Sequence, residues 1–232
     1  MNHKGPDPAF PYLEETQRFI FPLPEESSHS SIVAMGGNLS PGMLLSAYEQ
    51  GIFPWYNEGE PIYWHSPDPR LLVFPHTLHI SKTMKKIIKN NCFRITYNKN
   101  FDEVIKACAK TFRPRQGGTW ITGDMIKAYN DLHSLGWAIS AEARVEGQKT
   151  LAGGCYGIQI GNVFFGESMF SVAPNASKAA FLSLAQQLFK NGAAFIDCQL
   201  PTPHLESLGG IHVSRKEYLK LLSETLASRE QP

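Results

Sequence analysis

The chain has 232 residues, 42% of them hydrophobic and 19% charged, with a net charge of +1. That composition fits a globular protein with a sizeable core, and a charge near zero excludes any bulk argument for nucleic acid, so RNA contact would need a local patch. No apolar run is long enough to span a bilayer, and Met1-Asn2-His3-Lys4-Gly5-Pro6 lacks the apolar segment of a signal peptide.

A soluble cytoplasmic protein without a membrane association is therefore the expectation. The cysteines Cys92, Cys108, Cys155 and Cys198 form no close pair and lie in apolar surroundings. Buried free thiols are expected, not a disulfide framework or a zinc site.

In chain order, residues 1 to 18 are polar and rich in proline, and read as loosely held. Ser40 caps a helix with Pro41 at its first position, and Gly51 closes it; Met43, Leu44, Ala47 and Tyr48 form its apolar stripe. Phe53-Pro54-Trp55-Tyr56 and Ile62-Tyr63-Trp64-His65 crowd aromatics into a stretch broken by Pro and Gly. These rings fit a satellite core, or a platform on which an unpaired base stacks.

Ser66-Pro67-Asp68-Pro69-Arg70 is a rigid turn, and Leu71 to Pro75 reads as a strand. Ser81 caps a helix carrying Lys82, Lys85, Lys86 and Lys89, with Arg94 on the strand beyond it. This basic face is either a solvated helix surface or a set of contacts for RNA phosphates. Phe101, Val104, Ile105 and Cys108 mark another helix, followed by Lys110, Arg113 and Arg115 as a second candidate contact. Gln116-Gly117-Gly118 is a turn before Trp120, and Thr122 caps a helix that ends at Gly136. Tyr129 on that helix fits amphipathic core filling.

Trp137 to Val145 and Thr150 to Ile160 are strands around a turn at Gly147. Gly161-Asn162 is a hairpin dipeptide leading into the apolar strand Val163 to Phe170. Asn175 caps a helix ended by Gly192, and a strand from Ala194 to Gln199 follows. Strand, helix and strand imply a parallel pair with a right-handed crossover. Thr202 to Gly210 reads as a loop, and Ser214 with Glu217 forms a capping box for the last helix, whose apolar stripe is Tyr218, Leu221 and Leu222.

Polar residues interrupt these last strands. Alternation puts Glu167 and Met169 on one face and Asp197 with Gln199 on another. Asp is depleted in strands, so the presence of Asp197 between Ile196 and Cys198 needs a physical reason. It binds backbone amides or an Arg on one reading and serves catalysis on the other. Locally, Glu167 reads as a solvent-facing strand residue.

Gly166-Glu167-Ser168-Met169-Phe170-Ser171, Asn175-Ala176-Ser177-Lys178 and Ile196-Asp197-Cys198-Gln199 resemble the signature segments of the leucyl/phenylalanyl-tRNA–protein transferases. Gly36-Gly37-Asn38-Leu39-Ser40-Pro41, Gly51-Ile52-Phe53-Pro54-Trp55-Tyr56, Ser66-Pro67-Asp68-Pro69-Arg70 and Gly118-Thr119-Trp120-Ile121 match upstream, in the same order, so the resemblance runs from Phe19 to Leu226. It implies an α/β chain with a mixed sheet: a small N-terminal domain (residues 1–70) and a catalytic domain (71–232) with the acetyltransferase fold called GNAT.

The resemblance further implies transfer of Leu or Phe, less readily Met, from a charged tRNA to the α-amino group of a protein beginning with Arg or Lys, marking it for degradation. The partners are the 3′ end of an aminoacyl-tRNA and proteins with an exposed N-terminal residue, and the enzyme is expected to act as a monomer. The basic face of Lys82, Lys85, Lys86, Lys89 and Arg94 would then meet tRNA phosphates. An ester is already activated and an α-amino group has a pKa of about 7.7–8.0, so no cofactor and no metal is expected. Orientation, a proton acceptor and help for the tetrahedral oxyanion are what the reaction needs.

By resemblance Asp197 and Gln199 are the catalytic pair and Glu167 lines the same pocket. Gln199 would orient the amine or ester, while Asp197 polarises it or takes the proton through a relay. Trp55 and Trp120 would hold the terminal adenosine. Met169, Phe164, Phe181 and Ile196 are candidates for the aminoacyl site, Met169 because a thioether adapts to both Leu and Phe, and Ser168 and Tyr129 are further substrate-binding candidates. Several of the apolar ones fit core equally well.

Four departures from the family pattern stand out. Ile139-Ser140-Ala141-Glu142-Ala143-Arg144 replaces His-Ser-Val/Ile-Glu-Val-Trp; Val172 stands where an Arg is usual, His65 where a Trp is, and Pro201-Thr202-Pro203 where an Asn is common. A gained cation at Arg144 and a lost one at Val172 allow an alternative preference for acidic N-termini. A second alternative is a non-enzymatic module for the tRNA acceptor end. An acyl-CoA N-acyltransferase is disfavoured by Val172-Ala173-Pro174 before the helix, where a Gly/Arg-rich pyrophosphate loop would be needed.

Overall fold

The structure, a computed structural model, describes residues 5–26, 30–111 and 119–228. In chain order it has β1 (Ile32–Met35), α1 (Pro41–Glu49), β2 (Phe53–Pro54), β3 (Tyr63–His65) and β4 (Arg70–Val73). Then come α2 (Lys82–Lys89), β5 (Phe93–Tyr97), α3 (Phe101–Lys110), α4 (Gly123–Ser134), β6 (Ala138–Val145) and β7 (Gly153–Ile160). The chain finishes with β8 (Val163–Ser171), α5 (Ala176–Lys190), β9 (Phe195–Asp197), α6 (Pro203–Glu206), β10 (Ile211–Val213) and α7 (Arg215–Ala227).

Two sheets result. A three-stranded sheet in the order β1-β3-β2 lies in the N-terminal part, and a mixed seven-stranded sheet runs β10-β4-β9-β8-β7-β6-β5. β8 and β9 pair in parallel, joined by α5, as the strand–helix–strand pattern requires; their other neighbours pair antiparallel. Alternate strand residues enter two cores. Phe165, Phe195 and Leu72 pack with α1, α3, α4 and α7, while Phe164, Ile196 and Leu71 pack with α2 and α5 on the opposite face.

Helix starts follow the local chemistry. Ser81 Oγ accepts from Met84 N–H, Thr122 Oγ1 accepts from Met125 N–H, and Ser214 with Glu217 closes the full capping box. Gly192, at φ +92, ends α5 in the left-handed region. Two expected caps work otherwise. Ser40 stands before α1, but its Oγ accepts from Leu13 N–H; Asn175 stands before α5 in a left-handed conformation with no side-chain cap bond.

Other expectations are corrected as well. Residues 5–18 are tied down, because Arg18 pairs with Glu49 at 2.7 Å, Asn38 Nδ2 donates to Phe10 O and Pro11 O, and Gly42 N–H donates to Leu13 O. The stretch from Thr202 is not all loop: Thr202 caps the one-turn α6, and Ile211–Val213 adds a strand at the sheet edge beside β4. Cys92 is exposed, while Cys108, Cys155 and Cys198 are buried free thiols.

A β-bulge in β8 has the largest effect on the site. Gly166 faces Gly157 and Ser168 faces Tyr156, so Glu167 is the unmatched residue. The extra residue resets the alternation. Glu167 turns to the α1 and α4 side, where Phe165 and Phe170 also pack, and Met169 packs against the opposite core. Glu167 and Met169 therefore do not share a face.

Candidate active site

Parallel pairing of β8 with β9 ends at Phe165–Asp197, and a cavity of about 290 Å³ opens beyond that pair. Gly166 to Met169 line it from β8, and Cys198, Gln199 and Leu200 line it from the chain after β9. Phe53, Pro54 and Trp55 approach from the N-terminal part, Trp120 from the segment before α4, and Thr202, His204 and Leu205 from the α6 region. Cys155, Phe164 and Phe181 make much of the remainder apolar.

The polar wall centres on Glu167. Tyr48 of α1 donates to its Oε1 at 2.7 Å, Tyr129 of α4 donates to its Oε2 at 3.1 Å, and Gln199 Nε2 donates to Oε1 at 2.7 Å. Tyr48 and Tyr129 also hydrogen-bond each other. Three donors on one carboxylate favour its ionised form, but burial outweighs them and pushes the Glu167 carboxyl up to about 7. The solvent-facing reading of Glu167 is thereby corrected: it is a buried acid with an edge on a cavity.

Asp197 has a different setting. Its carboxylate is fully buried and takes a forked contact from Arg70, with Nε 2.9 Å from Oδ1 and Nη2 2.7 Å from Oδ2. Tyr218 OH donates to Oδ2 at 2.7 Å, and Gln199 N–H donates to Oδ1 at 2.8 Å. Asp197 does not line the cavity. The partners that a strand aspartate requires are thus an Arg, a Tyr and one backbone amide.

Of the residues singled out by sequence, Trp55, Trp120, Phe164, Glu167, Ser168, Met169, Phe181 and Gln199 line the cavity together. Tyr129, Ile196 and Asp197 stand behind the wall, fully buried. Lys82, Lys85, Lys86, Lys89 and Arg94 are exposed on α2 and β5. Arg113, Arg115 and Gln116-Gly117-Gly118 lie outside the described residues. Arg144 is turned away from the site. Its guanidinium serves Lys149 O, Thr96 Oγ1 and Asn100 Oδ1, so it is no free cation for an acidic substrate. Val172 is exposed after β8 and does not line the cavity.

Sequence reasoning missed four contributors. Tyr48 and Tyr218 read as apolar stripe, although a buried phenol usually finds a hydrogen-bond partner, which is the available signal. Arg70 reads as part of a turn. His204 gives no signal beyond its place after Pro203; burial, then Lys178 nearby, lowers its pKa. His65 supports Trp55 from behind, with Nε2 3.1 Å from Trp55 O and Nδ1 3.0 Å from Ser31 Oγ. Among the described residues no group of three or more His, Cys, Asp or Glu could hold a metal ion, and no helix is long and apolar enough to cross a membrane.

Comparison with known proteins bears on this site. A sequence-family model described as Leucyl/phenylalanyl-tRNA protein transferase matches residues 72–223, and the model of that family's N-terminal domain matches residues 37–68. The chain is 45% identical over 214 residues to the Leucyl/phenylalanyl-tRNA--protein transferase of Myxococcus xanthus, covering 92% of this chain and 91% of that one. It is 50% identical over 203 residues to the protein of that name from Flavobacterium johnsoniae, covering 88% and 95%. Among solved structures, L-PGS from Bacillus licheniformis aligns over 68% of this chain and 65% of its own at 10% identity and a TM-score of 0.41, too loose a likeness to carry an argument.

Proposed function

Because the chain belongs to the leucyl/phenylalanyl-tRNA protein transferase family, we propose that the cavity beyond Phe165 and Asp197 is where it carries out its reaction, aminoacyl transfer from a tRNA to a protein N-terminus. The supporting observation is one wall carrying an acid and an amide, Glu167 and Gln199, set in a mostly apolar hollow of about 290 Å³.

Leu, Phe or Met of the charged tRNA sits against Phe164, Phe181 and Met169, with the thiols of Cys155 and Cys198. Burial, with the Asp197 charge next in effect at Cys198, raises both thiols well above their ordinary pKa, so they act as neutral apolar wall. Such a pocket separates side chains differing by one methylene by only about 1–3 kcal/mol, which accounts for mixed use. The terminal adenosine rests on Trp55 and Trp120, and the lysines of α2 with Arg94 meet tRNA phosphates.

An ionised Glu167 only accepts, so the N–H end of the Gln199 amide faces it and Oε1 is left for the incoming α-amine. The amine attacks the ester carbonyl carbon, the bond from that carbon to the ribose oxygen breaks, and an amide forms. The amine gives up a proton and the ribose oxygen gains one. Glu167, with its pKa near 7, lies within about one unit of an α-ammonium group and takes the proton. Asp197, with every oxygen engaged, orients Gln199 instead of serving as base.

The acceptor begins with Arg or Lys, and the product is marked for degradation. Glu167 is the carboxylate of the cavity wall, and Arg144 is engaged elsewhere; both disfavour acidic acceptors. The protein acts as a monomer in the cytoplasm. Its residues 71–232 form a GNAT-like catalytic domain and residues 1–70 a smaller one, a reading supported by the parallel β8 and β9 joined by α5 and by the separate three-stranded sheet.

The test is transfer of labelled Leu from Leu-tRNA to peptides beginning with Arg, Lys, Asp, Glu or Ala. Label in the Arg and Lys peptides is expected. Label confined to Asp and Glu peptides would overturn the acceptor assignment, and label in none would leave only the RNA-binding alternative.

A further inference from the structure

Behind the cavity wall lies a buried ion pair that the proposed chemistry does not use directly. Arg70 is 0% exposed, and its guanidinium carbon lies 4.9 Å from the Phe53 ring centroid and 4.5 Å from that of Tyr218. Its Nη1 donates to Gly51 O at 3.2 Å, which anchors it to the chain just before β2. The fork on Asp197 and the Tyr218 hydroxyl engage both carboxylate oxygens.

A buried pair of this kind is weak evidence for stability, because desolvating two charges offsets most of their attraction. Geometry is what it secures. Asp197 Oδ1 accepts the Gln199 backbone N–H, and Gln199 adopts φ +62, a conformation uncommon for a residue other than glycine. From that backbone the Gln199 side chain reaches Glu167. We propose that Arg70 is a positioning residue for transfer: by locking Asp197 it holds Gln199 in its left-handed turn and so aims the amide at the cavity. This rests on the aminoacyl-transfer reading of the site.

Without the fork, Asp197 is free to turn towards other donors and Gln199 loses the acceptor that fixes its turn. The loss then falls on turnover at saturating substrates, not on affinity for the tRNA, and it passes through Gln199. A merely structural Arg70 would lower activity whatever stands at residue 199.

A double-mutant cycle on full-length protein separates these cases. Arg70→Lys, Gln199→Ala and the double variant are compared for the maximal rate of Leu transfer to an N-terminal-Arg peptide, the KM for Leu-tRNA and the thermal midpoint. Arg70→Lys alone is expected to lower the rate about 10-fold or more with KM within about threefold, and to cost less than about twofold in the Gln199→Ala background. Losses that multiply would overturn the proposal, as would an unchanged rate in either single variant.

If Arg70→Lys does not fold, Tyr218→Phe takes its place. It removes one donor to Asp197 Oδ2 and keeps the ring against the guanidinium. A loss of about 3- to 10-fold that vanishes with Gln199→Ala supports the proposal, and a loss that persists there overturns it. A wild-type chain that transfers nothing would instead sink the reading of the cavity, and this proposal with it.

Discussion

Gln199 Nε2 lies 2.7 Å from Glu167 Oε1, across a gap of 32 residues in the chain. The bond joins the residue extruded by the β8 bulge to the residue in a left-handed turn after β9. Two local irregularities of the backbone thus supply the acid and the amide of the cavity wall. Irregularities of this kind re-aim side chains where chemistry is done.

Gln199→Ala should therefore lower turnover while leaving tRNA binding intact. The variant loses the acceptor aimed at the amine and leaves Glu167 with two donors instead of three. A fall of roughly 10²-fold in the maximal transfer rate is expected, as for loss of one preorganised hydrogen-bonding group. The KM for Leu-tRNA should stay within about threefold, since uniform binding is not removed. Steady-state transfer to an N-terminal-Arg peptide checks this, and a normal rate would take Gln199 out of the mechanism.

Glu167→Gln tests the raised pKa. If the ionised acid takes the proton, transfer should rise through about pH 7 in the wild type. In the variant only the limb of the acceptor α-amine, near about 7.7–8.0, should remain. The same shift has a stability sign. The folded pKa lies above the unfolded value of about 4.3, so the native state binds more protons between the two, and stability is lost as pH rises through that window. Thermal midpoints of wild type and variant should diverge from pH 5 to pH 8, with the variant losing less. Parallel curves would contradict the burial of an ionisable acid.

Much of this fold is legible in the sequence because local rules agree with it. The Ser81, Thr122 and Ser214 caps, the Gly161-Asn162 turn and the strand–helix–strand crossover are all short-range signals. The site is legible as a set of odd residues, not as a set of pairs. Tyr48 meets Glu167 across 119 residues and Arg70 meets Asp197 across 127, and no period in the sequence encodes such distances. The bulge escapes because strict alternation through Gly166 and Glu167 fits the same residues. α6 escapes despite a usable signal, Thr202 as cap with Pro203 at the first position.

Trp55 offers a test of the acceptor-end platform. It is half-buried, lines the cavity and is backed by His65, whose ring lies 5.6 Å away. Stacking on a base is worth about 1–3 kcal/mol, so Trp55→Ala should raise the KM for Leu-tRNA by about 5- to 150-fold. The maximal rate should change little. A loss confined to the maximal rate would move Trp55 from the platform to the chemistry.

Gly157 gives a prediction about the bulge itself. It stands opposite Gly166, and a Cβ there would lie 2.1 Å from Phe165 O and 2.5 Å from the Phe164 ring. Neither neighbour is free to yield, since one is strand backbone and the other a fully packed ring on the cavity wall. Overpacking of this kind costs about 1–3 kcal/mol or more, so Gly157→Ala should lower the thermal midpoint by several degrees. Because the displaced atoms sit beside Glu167 and under the aminoacyl pocket, transfer should fall as well, even at a temperature where the variant is fully folded. Gly59→Ala is the control: nothing lies near its Cβ, and although its φ of +80 strains an alanine, the effect should be confined to stability. Equal melting losses with equal activity in the two variants would show that the backbone at the bulge does not set the geometry of the cavity.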